Sequence, residues 1–200
     1  MFRELLKPCC VVTEEQATLL EAHYESLLRW NKVMNLTRMR SVKEAVQRHY
    51  CESLFLAGLL PSNVASLADI GSGAGFPGYP FAVVRPTCRV ALIEANQRKA
   101  VFLQEVTRGM PNVRVFGVRA EDVEERFECV ASRAVGYTEL RKAAWKLGGR
   151  LALLTGKEPP PGNWSLEWDV IPIPGSQNRF LRISRQDVSR GTPWSQARKP

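Results

Sequence analysis

Leu67-Ala68-Asp69-Ile70-Gly71-Ser72-Gly73-Ala74-Gly75-Phe76-Pro77-Gly78 is the most informative segment of the chain for its fold. The apolar run Ser66–Ile70 has the length of a buried strand, and it passes directly into a glycine-rich loop ahead of a helical segment near Tyr79–Val84. Glycines at such a junction permit a tight turn and a close approach of backbone to ligand. Further short apolar runs follow at Val90–Ile93, Val113–Val118, Cys129–Ser132 and Leu151–Leu154, interleaved with helix candidates at Gln97–Thr107 and Thr138–Lys146. Strands alternating with helices predict an α/β fold with a mostly parallel sheet covered on both faces. Pro159-Pro160-Pro161-Gly162 breaks that rhythm. Beyond it, Trp168–Ile173 and Phe180–Ile183, joined by Pro174-Gly175-Ser176-Gln177-Asn178, read as a C-terminal antiparallel hairpin at the sheet edge.

Upstream of the loop the chain reads as helical. Thr13-Glu14-Glu15-Gln16 is a capping box, after which Leu20, Tyr24, Leu27 and Leu28 share one face. Ser41-Val42-Lys43-Glu44 is a second, followed by apolar positions through Leu60 at near-helical spacing, and Pro61-Ser62-Asn63 ends that helix. The expected organisation is a helical cap over residues 1–63 and a ligand-binding domain over 64–200.

Two hundred residues, 44% hydrophobic and 24% charged, describe an ordinary domain that buries roughly 70% of its unfolded surface without covalent staples. No run of about 20 apolar residues is present, which excludes a membrane-spanning helix. The opening Met1–Pro8 is too short and too charged for a signal peptide. No internal repeat points to a solenoid or propeller. Cys9, Cys10, Cys51, Cys88 and Cys129 are odd in number and lack metal-ligand spacing, so reduced thiols, a cytoplasmic location and no metal are expected.

The 28 basic against 20 acidic residues leave a net charge of +8, which points to a polyanionic partner. The excess sits in two places. Residues 29–50 hold Arg29, Lys32, Arg38, Arg40, Lys43 and Arg48 against Glu44. Residues 179–200 hold Arg179, Arg182, Arg185, Arg190, Arg198 and Lys199 against Asp187. Both clusters suit phosphate contacts that position RNA without reading its sequence.

Two frames compete for the glycine loop, beside the plain alternative of a structural turn. Gly73-Ala74-Gly75-Phe76-Pro77-Gly78 fits the dinucleotide pattern GxGxxG, but it starts three residues past the strand end, and Pro77 stiffens the turn. Asp69-Ile70-Gly71-Ser72-Gly73-Ala74-Gly75 resembles the acidic-x-GxGxG signature of S-adenosylmethionine (SAM) methyltransferases. That frame puts Gly71 at the strand end and gives Asp69 a task near the cationic groups of SAM. Glu94, closing the second strand about 20 residues on, suits ribose hydroxyls of either cofactor. Ala120-Glu121-Asp122 stands where an adenine edge could be read, or forms a helix's acidic first turn.

Several segments in order resemble one family. They are Leu27-Leu28-Arg29-Trp30-Asn31-Lys32-Val33-Met34-Asn35-Leu36-Thr37, Arg48-His49-Tyr50-Cys51-Glu52-Ser53-Leu54, Asp69 through Gly78, Lys99-Ala100-Val101-Phe102-Leu103 and Ser132-Arg133-Ala134-Val135. This pattern is similar to the GidB/RsmG family, which methylates N7 of a guanine in bacterial 16S ribosomal RNA. The resemblance implies a Rossmann-like class I SAM-dependent methyltransferase sheet with a helical N-terminal extension, acting on 16S ribosomal RNA or a small-subunit particle as a monomer. By matching position it assigns Gly71, Phe76, Glu94, Ala95, Asn96, Ala120, Glu121 and Arg133 to the cofactor, joining Asp69, Gly73 and Gly75 of the loop. Asn35, Arg48, His49 and Arg133 are the candidates for positioning substrate. The chain departs from the family at Glu52, where an aspartate is usual, and at Leu154-Thr155-Gly156, where Leu-Lys-Gly is frequent. N7 of guanine is unprotonated at neutral pH, so no general base is expected; catalysis is alignment, which can lower a barrier by ~7–11 kcal/mol. The rival functions are a nicotinamide-dependent oxidoreductase and a non-catalytic RNA-binding module.

Overall fold

The computed structural model describes residues 1–188. A seven-stranded sheet forms its centre, in the order β3-β2-β1-β4-β5-β7-β6. The strands are β1 (Ser66–Ile70), β2 (Arg89–Ile93), β3 (Val113–Phe116), β4 (Cys129–Arg133), β5 (Arg150–Thr155), β6 (Trp168–Pro172) and β7 (Phe180–Asp187). The first five run parallel, and β7 lies antiparallel to both β5 and β6. The expected mostly parallel sheet with a C-terminal antiparallel hairpin is therefore present. The chain leaves β1 toward β2 on one side and returns to β4 on the other. That reversal opens a crevice at the carboxyl ends of β1 and β4, where open α/β sheets bind ligands.

Helices α1 (Phe2–Leu6), α2 (Glu14–Asn31), α3 (Val42–Ala45) and α4 (Glu52–Leu59) precede the sheet, with a π-helical turn at Val46–Cys51 between the last two. Thr13 caps α2 with the full reciprocal box. The second box is half formed. Ser41 accepts from the Glu44 N–H, but the Glu44 carboxylate reaches back to the N–H of Arg40 at 3.0 Å instead of Ser41. These helices share one core with the sheet face carrying α5 (Gly78–Val84) and α6 (Gln97–Val106): Phe2, Leu20, Leu27 and Tyr50 pack in the same cluster as Phe81, Leu92 and Phe102. Each such fully buried side chain contributes about 1.5–3 kcal/mol. The opposite face is covered by α7 (Tyr137–Leu147), with Leu140, Ala144 and Leu147 against Ala68 and Ile70.

Two strand limits differ from expectation by more than one residue. β3 stops at Phe116, whose carbonyl takes the Glu94 N–H at 3.0 Å, two residues short of Val118. β7 runs on past Ile183 to Asp187, because β5 and β6 flank it and both supply partners to polar residues. The thiol expectation needs correction. Cys9 and Cys51 form a disulfide, and Cys10, Cys88 and Cys129 remain free. The pairing spans 42 residues, and only the packing of α1 on the π-helical turn brings the two sulfurs together.

Candidate functional site

The β1–α5 loop is held from several sides. The N–H groups of Gly71 and Ser72 donate to the Ile93 carbonyl at 2.9 and 3.1 Å. Gly73 N–H donates to Glu94 Oε2 at 2.9 Å. Gly71, Gly73 and Gly75 adopt φ of +71°, +58° and +90°, the region that favours glycine. They serve different ends. A Cβ at Gly71 would strike Val135, and one at Gly75 would sit 3.1 Å from Tyr79 Cβ and 3.2 Å from His23 Nε2. One at Gly78 would strike Leu92. At Gly73 the nearest atom is 3.8 Å away, so of these four glycines it is the one that faces open space.

Asp69 lies wholly beneath this loop. Its Oδ2 accepts from the Gly78 N–H at 2.9 Å, and its Oδ1 has no hydrogen-bond partner among the described residues. Burial pushes its pKa up to about 7 against the pull of the Gly78 bond. That bond also occupies the first amide of α5, and Pro77 before it has none to offer, so this helix start is not open to a phosphate.

Glu94 is 9% exposed and ties the two strand ends together, Oε2 on Gly73 and Oε1 on the Asn96 N–H at 2.8 Å. Each oxygen keeps a second lone pair. Ala95 is exposed, and the Asn96 side chain is taken up in capping α6 through the N–H groups of Arg98 and Lys99. Ala120 is buried at the start of a single 3-10 turn, Ala120–Asp122, and the Glu121 carbonyl accepts from Lys146 Nζ at 2.6 Å.

Above the loop stands a polar cluster built from four separated segments. His49, on the π-helical turn, stacks on Phe76 with ring centroids 4.8 Å apart. Its Nδ1 accepts from Arg133, and its Nε2 lies 3.3 Å from Thr37 Oγ1. Asn31 closes the turn that presents Thr37, through bonds of 3.0 and 3.1 Å to the Thr37 backbone. Glu52 is fully buried, 3.6 Å from Arg133 and gripped by Arg179 of the hairpin at 2.8 and 3.2 Å. Burial, reinforced by Arg133 and Arg48, pushes the His49 pKa down to about 3. Burial lowers Arg133 to about 10, opposed by Glu52, so it stays charged at neutral pH.

His49 and Arg133 are thus brought together beside the loop, whereas two other expected substrate residues are not. Arg48 points to solvent and pairs with Glu44 at 3.2 Å, and Asn35 is exposed in the turn after α2. Trp30 packs edge-on against Phe102 as core. In the second basic cluster the described arginines have partners within the chain. Arg179 is committed to Glu52, Arg182 is 5% exposed and bonded to Thr155 and the carbonyls of Gly156 and Lys157, and Arg185 pairs with Asp169 and Glu167. An alternating strand flanked by acids and free carbonyls consumes its own cations. Arg190, Arg198 and Lys199 lie outside the described residues. In the first cluster Lys32, Arg38, Arg40 and Lys43 are exposed, and no ion pair holds them among the described residues.

Sequence reasoning missed His23. It is buried between Tyr50, whose hydroxyl is 2.7 Å from Nδ1, and the Ala74 carbonyl, 3.1 Å from Nε2, and it stacks on Tyr79 at 4.1 Å. Its place three residues after Leu20 and four before Leu27, on the apolar face of α2, was the available signal.

The residues at this edge fit a SAM-like cofactor. Gly73 leaves room above its backbone, Glu94 retains acceptor capacity, Ala95 is open, and Asp69 holds an unpartnered carboxylate oxygen below. A family model described as rRNA small subunit methyltransferase G matches residues 16–159. A protein of Pelotomaculum thermopropionicum named ribosomal RNA small subunit methyltransferase G is 38% identical over 134 residues, covering 62% of this chain and 56% of that relative's length. One of the same name from Chloroflexus aggregans is 36% identical over 196 residues, covering 86% of this chain and 82% of its own. The fold is similar to that of a SAM dependent methyltransferase from Aquifex aeolicus, with TM-score 0.51 and 16% identity over 70% of this chain and 92% of that one.

Proposed function

Because the chain belongs to the rRNA small subunit methyltransferase G family, we propose that it is a SAM-dependent enzyme that methylates N7 of a guanine in bacterial 16S ribosomal RNA. The observation that carries this reading is the convergence of Thr37, His49, Glu52, Phe76 and Arg133, from four separate segments, on the open glycine loop. A packing role alone does not call for a charged arginine and a neutral histidine at a sheet's ligand edge.

In this reading Gly71, Gly73, Glu94 and the backbone of Ala95 and Asn96 hold the cofactor, with Asp69 and Gly75 shaping the loop beneath. Phe76 braces His49, and Ala120 and Glu121 close the adenine side. Bound SAM supplies a methyl group on a cationic sulfonium sulfur. The acceptor nitrogen of guanine already carries an unprotonated lone pair, so the chain's task is to hold the base in line. His49 suits that task. Held near pKa 3 with Nδ1 accepting from Arg133, it is uncharged at neutral pH and orients groups through its remaining Nε2–H. Arg133 is fixed by His49 and Glu52, and its charge is available to guanine O6 or a phosphate, leaving N7 free to react. The exposed cations of residues 32–43 contact phosphates of the RNA. We read the enzyme as a cytoplasmic monomer that takes 16S RNA or the small-subunit particle.

Occupation of the α5 amide by Asp69 speaks against the nicotinamide alternative, since no helix start awaits a pyrophosphate. Calorimetric titration with SAM, NADH and NADPH tests the choice, joined to nucleoside mass spectrometry of 16S RNA incubated with enzyme and SAM. SAM binding and 7-methylguanosine are expected. NADH binding in place of SAM, or RNA binding without SAM affinity, would favour one of the rivals.

A further inference from the structure

We propose that a cleft on the outer face of α7 binds an unpaired nucleotide of the RNA beside the target guanine; this rests on the methyltransferase reading above. Thr138, Arg141, Lys142 and Trp145 recur at helical spacing on the solvent side of α7, opposite the buried Leu140, Ala143, Ala144 and Leu147. With the segment Pro161–Trp164 they enclose a cleft of about 320 Å³, near the lower end of the roughly 300–1,000 Å³ range of small-ligand sites. One nucleotide fits that size and a duplex does not. Trp164 is buried as the floor, and the rings of Tyr137 and Trp145 stand edge-on to it at 5.7 and 5.4 Å. Tyr137 also fixes the loop after β5, its hydroxyl donating to the Glu158 carbonyl at 2.9 Å.

Arg141 lies over the Trp145 ring at 5.3 Å, and neither it nor Lys142 has an ion pair among the described residues. Among the described residues no acidic side chain lines the cleft. Partly exposed aromatic faces beside unpaired cations are what single-stranded nucleic acid uses, bases on rings and phosphates on charge. The position agrees. Tyr137 follows Arg133 by four residues, and the intervening Val135 packs on Gly71, so the cleft starts at the strand ends that carry the candidate catalytic site.

The test uses the full chain and fluorescence anisotropy with a labelled single-stranded oligoribonucleotide, competed by deproteinised 16S RNA. Trp145→Leu should weaken RNA binding roughly 5- to 100-fold, while Trp145→Phe, which keeps a stacking face, should stay near the parent. Arg141→Gln and Lys142→Gln should each make the slope of log K against log salt shallower by roughly 0.7. SAM affinity should be unchanged in all four. Parent-like RNA affinity in Trp145→Leu, with the parent binding both SAM and RNA, overturns the cleft and leaves the methyltransferase reading intact. Equal losses in the Leu and Phe variants, tracking a lowered melting temperature, also overturn it. A parent that binds no RNA removes the underlying reading and the cleft together.

Discussion

Gly73 and Gly75 stand two residues apart in one loop, yet their surroundings assign them different work. Gly73 borders open space, whereas Gly75 is pressed against Tyr79, His23 and Leu103. Gly73→Val should therefore abolish SAM binding in calorimetry with the fold kept, its cost confined to a strained φ. Gly75→Val should instead lower the melting temperature by the equivalent of about 1–3 kcal/mol, as overpacking does. An equal effect of the two on stability would contradict that division. Charge at the residue scale predicts a pH profile. The buried His23 and the half-buried His49 are held near pKa 3 from an ordinary 6.5, chiefly by desolvation. The unfolded chain binds more protons than the folded one between those values, so stability falls as pH drops through 6.5 toward 3. Asp69, raised from 3.8 to about 7, acts in the opposite sense and loses its contribution as pH rises across that window. Urea unfolding at a series of pH values should show the acid-side slope flattened in His23→Gln, and an unchanged slope would remove His23 from the account.

At the scale of elements, the C-terminal hairpin is a structural brace for the candidate site. Arg179 crosses from the start of β7 to the buried Glu52, and Arg182 ties the loop after β5 to the strand beside it. That second bond set holds the Gly156 and Lys157 carbonyls, at the end of the Leu154-Thr155-Gly156 departure and just past it, from β7. Removing Arg179 leaves Glu52 with Arg133 alone, 3.6 Å away. Arg179→Ala should cost about 1–3 kcal/mol of stability, and a cycle with Glu52→Gln should show coupling, because the variants remove one shared interaction. Additive losses in thermal melts would show that the pair does not act together.

For the whole molecule, the helices before β1 matter twice. They complete the core on one face of the sheet, and their outer surface carries the exposed cations Arg38, Arg40 and Lys43. Replacing these three with Gln should weaken RNA binding with little sequence dependence. The salt slope should become shallower by roughly 0.7–0.9 for each phosphate that is no longer neutralised. SAM affinity should hold, since none of the three touches the glycine loop. A triple variant with parent-like affinity and slope would make this surface a solvated face only.

The succession of strands and helices, the glycine loop and the parallel sheet are legible in the amino-acid order alone, because strand length, helical period and turn residues are local signals read within a dozen positions. The ordered motifs also point to the family. Relations between distant positions come only with the folded chain. His49 meets Arg133 across 84 residues, Glu52 meets Arg179 across 127, and Cys9 joins Cys51 across 42. Burial is settled there too: Arg179 and Arg182 look like part of a basic tail in the sequence, but folding turns them into internal partners for the Glu52 carboxylate and for the carbonyls after β5. A charge count is additive along the chain, whereas desolvation and pairing depend on what folding places opposite each charge.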